Sequence, residues 1–296
     1  MNIRKLIFSA LAAAAACSAF AGTKVVISGS DLIRPFITDS TIIIAKKSGV
    51  DLEVAMYGTY EAYDNIKSGK ADLAIVALPQ GSKVPDEYAA FPFAYQAAVI
   101  VVNSVNPLEE ITTTQLFDIY SIATQSRYET WQQLGVKNIG LRNILAITTS
   151  LSDNVVVELF KYSALNGTNI GSWVNVAENK NAIYNIIKGN NSAIAVIGKF
   201  NPEGNNLIKV LAVSKSGAEA SKTYAFRPDQ SSLFNGDYPM SLPFYIIFPK
   251  AKAEKIKPLL RILLGDDVAR RIDASDFYSA PNNSRKKSIF DLDMMK

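Results

Sequence analysis

Within residues 24–79, the chain twice hands a strand over to a helix through a short polar turn, and this pattern constrains the fold most. KVVISGSD reads as a strand ending in the turn Ser28-Gly29-Ser30-Asp31, and LIRPFITDSTIIIAKKSG reads as a helix stopped by Gly49. DLEVAMYGT is a second strand, and Gly58-Thr59 opens a second helix that ends at Gly69. KADLAIVALP follows as a third strand, a short apolar run suited to burial on both faces of a parallel sheet. The alternation predicts an α/β fold. Each turn presents backbone N–H groups and the positive end of a helix dipole, a ready place for a small anion. Ser30, Asp31, Leu32, Gly58 and Thr59 are therefore candidate ligand-binding residues, although Ser30 and Asp31 also have the chemistry of plain helix caps.

What precedes this region reads as an export signal covering residues 1–21. Arg4 and Lys5 supply the charged start, residues 6–16 the apolar run, and Ser18-Ala19-Phe20-Ala21 the small-x-small cleavage pattern. The apolar run is too short to anchor the chain across a bilayer. The expectation is a periplasmic or secreted protein cleaved after Ala21. Cys17, behind three alanines, offers a rival reading as a lipoprotein attachment site.

The chain contains no histidine, and its one cysteine is Cys17. This removes Ser-His-Asp and Cys-His catalysis and every histidine-ligated metal site. With no nucleophile motif in the chain, a hydrolase or transferase is disfavoured; the expectation is a non-enzyme without cofactor or metal. Arg4 and Lys5 account for two of the 31 basic residues, which leaves the mature chain near +2. That balance argues against nucleic acid as a partner.

Further along, residues 93–102 read as a strong strand. Thr112-x-x-Gln115 is a capping box, Ser150-x-x-Asp153 a second one, and residues 179–188 a helix stopped by Gly189. Asn65-Ile66 with Gly69 before ADLAIV echoes Asn185-Ile186 with Gly189 before SAIAVI, as two similar α/β lobes would. MSLPFYIIFPK gives a late strand, and Pro258 in the helical stretch behind it is expected at a first helical position.

Several segments, in this order, resemble the PstS-like phosphate-binding proteins of bacterial ABC importers. They are ISGSDLIRPF, SGKADLAIVALP, ITTTQLFDIYSIATQSRYETWQQLG, NGDYPMSLPFYIIFPK and AEKIKPLLRILLGDDVARRIDASDFYSAP. The resemblance implies a two-lobed periplasmic binding-protein fold of type II, each lobe a mixed sheet flanked by helices. Lobe 1 would comprise residues 22–102 and 241–296, and lobe 2 residues 103–240. Residues 93–102 and 244–248 would be the crossing strands. The ligand, phosphate or a related oxyanion, would sit in the cleft between the lobes, where the rule for open α/β sheets also puts it. A monomer serving an ABC permease is implied.

The resemblance also implies a second ligand loop, which falls at Thr148–Asn154, with Ser150, Ser152 and Asn154 as its candidate contacts. The family pattern carries an arginine and a Gly-Thr pair in this loop, and an aspartate behind the third strand. Here the loop has no arginine, Asp153-Asn154 stand where Gly-Thr would, and Ala77 or Leu78 falls at the aspartate's place. Arg34 on the first helix is the candidate to supply the missing cation, with Arg142 as another. The alternative function is a fold of this kind that has lost tight phosphate binding and acts as a sensor or protein-interaction module.

Overall fold

The computed structural model describes residues 22–79, 81–137, 140–149, 155–216 and 224–295. In the first sheet, β1 (Thr23–Gly29), β2 (Val50–Met56) and β3 (Leu73–Ala77) run parallel, joined through helices α1 (Asp39–Lys47) and α2 (Thr59–Lys67). β4 (Tyr88–Ala97), β12 (Ser241–Pro249) and β13 (Tyr278–Ser279) complete it in the order β13-β4-β12-β3-β1-β2. β12 is antiparallel to both β3 and β4, so β4 runs in the same direction as β3.

The second sheet has the order β10-β5-β9-β7-β8. It is built from β5 (Val99–Asn103), β7 (Leu145–Thr149), β8 (Asn175–Ala177), β9 (Ala193–Ile197) and β10 (Ile208–Val210). Its β7, β8 and β9 are parallel, and β5 pairs antiparallel with β9, Val99 opposite Ile197. A parallel pair of β6 (Glu110–Thr112) and β11 (Ala212–Ser214) stands apart.

Burial explains why these segments hold. All of β3 up to Val76 and all of β5 and β9 are buried, the signature of strands covered on both faces. One face of the first sheet packs Ile27, Leu73, Ile75 and Phe244 against Ile256, Leu259, Leu260 and Leu263 of α7 (Ala253–Leu263) and Val268 and Ile272 of α8 (Asp266–Asp273). The other face packs Ala74, Val76 and Ile247 against Ala62 and Ile66 of α2. The second sheet has its own core, in which α3 (Thr113–Tyr120), α4 (Val155–Ala164), α5 (Lys180–Gly189) and α6 (Gln230–Asn235) bury Leu116, Phe160, Ile183 and Leu233.

Several expectations change. The stretch read as one first helix splits into a 3-10 turn, Asp31–Phe36, and α1, with Ile37 and Thr38 non-helical between them. Pro35 sits in the 3-10 turn. It disfavours α conformation at Arg34 and blocks a regular α start. Residues 93–102 are two strands that part at Ala98. The late strand, residues 244–248, lies wholly in the first sheet. The chain returns just ahead of it, where Ala98 N–H donates to Met240 O (3.0 Å) and Tyr238 Oη donates to Ala98 O (2.7 Å).

Pro258 is inside α7 rather than at its start, because a 3-10 turn at Lys250–Lys252 leads into the helix and moves its beginning forward to Ala253. Pro258 offers no N–H to Glu254 O, and the buried face of α7 outweighs that loss. The capping box Thr112/Gln115 is present, with Gln115 N–H donating to Thr112 Oγ1 (3.1 Å) and Thr112 N–H to Gln115 Oε1 (2.9 Å). The one at Ser150 and Asp153 lies outside the described residues. The internal echo is partial: Gly69 follows its helix in left-handed backbone, whereas Gly189 is the last residue of α5.

Candidate functional site

The strand directions bring two edges together. β3 and β4 end on the same edge of the first sheet, and β13 begins there. β5 begins beside the end of β9, so passing Ala98 carries the chain from the carboxyl edge of one sheet to the carboxyl edge of the other. The turns behind β1, β2 and β3 therefore lie on the edge that meets the carboxyl ends of β7, β8 and β9.

On the first sheet, backbone bonds gather the turns. Ser30 N–H donates to Ile75 O (2.9 Å), Gly58 N–H to Gly29 O (3.0 Å), and Ala77 N–H to Thr59 Oγ1 (3.3 Å). Gly29 makes the closeness of β1 and β3 achievable, since a Cβ there would stand 2.6 Å from Ile75 O. Below the turns, the buried Ser28 hydroxyl donates to Ala55 O (3.2 Å) and accepts from Asn65 Nδ2 (3.1 Å), tying β1, β2 and α2 into one support.

Ser30 is the N-cap of the 3-10 turn, and its Oγ accepts from Leu32 N–H (3.3 Å). Gly58 is the N-cap of α2 at φ 136°, backbone that side chains rarely adopt, and no side chain caps this helix. The first-turn N–H groups of Thr59, Tyr60 and Glu61 have no acceptor within the helix. Ser30 and Thr59 thus each accept a backbone N–H and keep the hydroxyl proton to donate. Two hydroxyl donors, free amides and a helix dipole form a cradle suited to an oxyanion.

The other predicted residues scatter. Leu32 is half-buried and packs on the core of the first sheet, so it contributes its backbone to the turn. Asp31 and Arg34 are exposed. Among the described ion pairs none involves Arg34. Arg142 is removed from consideration: it precedes β7 and so lies at the amino end of that strand, the far edge of the second sheet. Ser150, Ser152 and Asn154 lie outside the described residues. Beside the cradle, Tyr57 and Tyr60 flank the Gly58-Thr59 turn and are 68% and 89% exposed.

Sequence reading missed the contacts that span the two edges. Lys199, directly behind β9 and Gly198, donates to Asp273 O (2.7 Å) and Phe277 O (2.9 Å) and lies 4.7 Å from the Tyr278 ring centre. Burial lowers its pKa against the opposing pull of Asp273. Lys180, at the first turn of α5, pairs with Asp276. Lys180, Lys199, Asp273 and Asp276 line a cavity of about 460 Å³ with Asn201 and Ser275. Asp273 is held by Ser279 N–H (2.9 Å) and Ser279 Oγ (2.7 Å). The only sequence signal was the order of charges behind a strand, which does not show what they meet. Among the described residues no cluster of acidic, histidine or cysteine side chains could hold a metal ion.

Two sheets with parallel strands, joined where their carboxyl edges meet and lined there by helix starts, define a two-lobed binding-protein fold. The chain belongs to the PBP superfamily: the family model described as a PBP superfamily domain matches residues 14–266. A curated relative, Protein SphX of Synechococcus elongatus, is 23% identical over 221 residues; the match covers 71% of this chain and 63% of that protein, under two thirds of its length. Solved structures share the fold. A possible phosphate binding protein from Planctomyces limnophilus gives a TM-score of 0.68 at 17% identity, covering 93% of this chain and 99% of that one. An ABC-type phosphate transport receptor from Vibrio cholerae gives 0.62 at 19% identity (86% and 99% covered). PstS from Borrelia burgdorferi gives 0.69 at 15% identity (88% and 99% covered).

Proposed function

We propose that this protein is an exported solute-binding protein that captures phosphate or a related oxyanion between its two lobes for an ABC importer. The observation that carries the reading is the pair Ser30 and Thr59, whose hydroxyls accept backbone N–H groups and keep their protons for a ligand beside the uncapped start of α2. The structural likeness to a possible phosphate binding protein and to an ABC-type phosphate transport receptor supports the choice of anion. The lobes are residues 22–98 with 241–296, and residues 99–240; the boundary falls at Ala98 rather than behind residue 102 because β5 pairs within the second sheet. Ser150, Ser152 and Asn154 would complete the site from the second lobe, with Asp31, Leu32 and Gly58 alongside the two hydroxyls. The protein acts as a monomer in the periplasm after cleavage behind Ala21, without catalysis.

A second reading, a sensor or interaction module that no longer binds phosphate tightly, draws on one observation: the arginine in the first turn, Arg34, is exposed and stands in no described ion pair. Calorimetric titration of phosphate-stripped mature protein separates the two. Micromolar or tighter binding with a stoichiometry of one supports capture for transport, and Arg34→Ala then tests that cation. Absence of heat with phosphate moves the assignment to the second reading. Mass spectrometry of the exported protein checks the cleavage: a free amino terminus at Gly22 is expected, and a lipid-modified Cys17 would overturn it.

A further inference from the structure

β4 carries a polar group that the turns do not account for. Gln96 is 6% exposed, and its Oε1 is buried without a hydrogen-bond partner among the described residues. Buried amide oxygens are nearly always paired, and an apolar side chain of similar volume would fill the place without an orphaned acceptor.

Its position follows from the register. Ala77, Phe244 and Ala94 form one row across β3, β12 and β4. Leu242 and Gln96 are the next pair on that face, two residues further toward the second lobe and beyond the last pairing of β3. Leu32 packs on this same face, in the cluster that contains Phe244 and Ala94. Leu242 touches the cores of both sheets. Gln96 therefore stands at the junction of the lobes, on the side covered by the Ser30–Leu32 turn.

We infer that Gln96 is a further ligand-binding residue, whose carboxamide meets the bound oxyanion from the floor of the cleft. The inference rests on the oxyanion reading above and adds a specificity to it. A carboxylate at this place would accept the proton of hydrogen phosphate and repel a fully ionised anion. A neutral carboxamide accepts that proton through Oε1 or, rotated by half a turn, donates N–H to an oxygen that carries none. Ala77 and Leu78, behind β3, add no carboxylate. The site therefore takes tetrahedral oxyanions as a class, sulfate as well as hydrogen phosphate.

The test uses anion-stripped mature protein titrated with inorganic phosphate and with sulfate, then Gln96→Leu and Gln96→Glu, each checked for cooperative thermal unfolding. Wild type is expected to bind both anions with Kd values within about tenfold of each other. Gln96→Leu should weaken both by about tenfold or more. Gln96→Glu should raise the preference for phosphate over sulfate by about 100-fold or more. Should either variant fail to fold, the Gln96 side-chain amide resonance of 15N-labelled wild type decides: it should shift on adding phosphate, and a resonance that stays put overturns the inference. Phosphate binding unchanged in a folded Gln96→Leu also overturns it. Wild type that binds phosphate and rejects sulfate would assign the proton acceptor to a carboxylate, Asp31 being the one in the turn, and overturn it while leaving the oxyanion reading intact. Wild type that binds neither anion overturns both.

Discussion

Ser30 and Thr59 are small residues whose value lies in one proton each. Replacing Thr59 by Val keeps the shape but removes the donor together with the acceptor of Ala77 N–H, and Ser30→Ala removes the donor and the cap to Leu32 N–H at the first turn. A hydrogen bond to a charged group contributes about 1.5–3 kcal/mol, so each change should weaken phosphate binding about 10- to 100-fold in calorimetry. Unchanged affinity in both variants would place the anion elsewhere.

Asp72 illustrates a different kind of residue. Its side chain is 7% exposed, with Lys252 at 2.9 Å, Lys255 at 2.8 Å and the Val26 N–H at 3.0 Å. Burial pushes its pKa up, but the bonds from Lys255, Val26 and Lys252 outweigh that, and the carboxyl ends below its usual value. A depressed folded pKa means the unfolded state takes up the proton first. The stabilisation is therefore present above the unfolded value, about pH 4, and is lost as pH falls through the folded value. Asp72→Asn should lower stability at neutral pH by about 1–3 kcal/mol and flatten that acid limb in urea titrations at stepped pH. A variant with the wild-type acid limb would contradict the assignment. That Ser30, Gly58 and Thr59 stand in turns at helix starts was legible in the sequence because turn chemistry is local. Gln96 and Lys199 were not, because their meaning depends on which strands lie beside them.

At the scale of elements, hydrophobic runs made the parallel strands visible, while Pro35 and Pro258 mark where local signals misled. Pro35 divided a helix that the apolar spacing joined. Pro258 was carried inside α7 by a buried face that a local rule cannot weigh. The join between β1 and β3 depends on Gly29, whose Cβ would press on Ile75 O and, at 2.7 Å, on Met56 Sδ. Gly29→Ala should force the strands apart, costing about 1–3 kcal/mol in chemical denaturation and displacing Ser30 and Thr59 enough to weaken phosphate binding as well. A variant of wild-type stability would mean that β1 and β3 tolerate a wider spacing.

At the scale of the molecule, two cores, each around its own sheet, meet in a narrow junction at Ala97–Val99 and Tyr238–Ser241. The alternation of strands and helices conveyed the α/β class and the resemblance to a family conveyed the two-lobed plan, but the closeness of the lobes depends on side chains remote in sequence. Lys180 with Asp276, and Lys199 with the carbonyls of Asp273 and Phe277, join the lobe edges beside the cleft. Lobes of this kind close about a hinge, so phosphate should lower the radius of gyration in solution scattering. Lys180→Ala, which removes one join, should enlarge the difference between the free and phosphate-bound protein. Equal scattering curves with and without phosphate would mean that the lobes do not move.

The central claim is that an oxyanion sits among the turns behind β1, β2 and β3. Crystals grown with arsenate, a heavier stand-in for phosphate, test it most directly through anomalous scattering at the arsenic edge. The account predicts one strong peak within hydrogen-bonding reach of Ser30 Oγ, Thr59 Oγ1 and the first amides of α2. A peak confined to the Lys180–Lys199 cavity, or none at all at saturating arsenate, would contradict it.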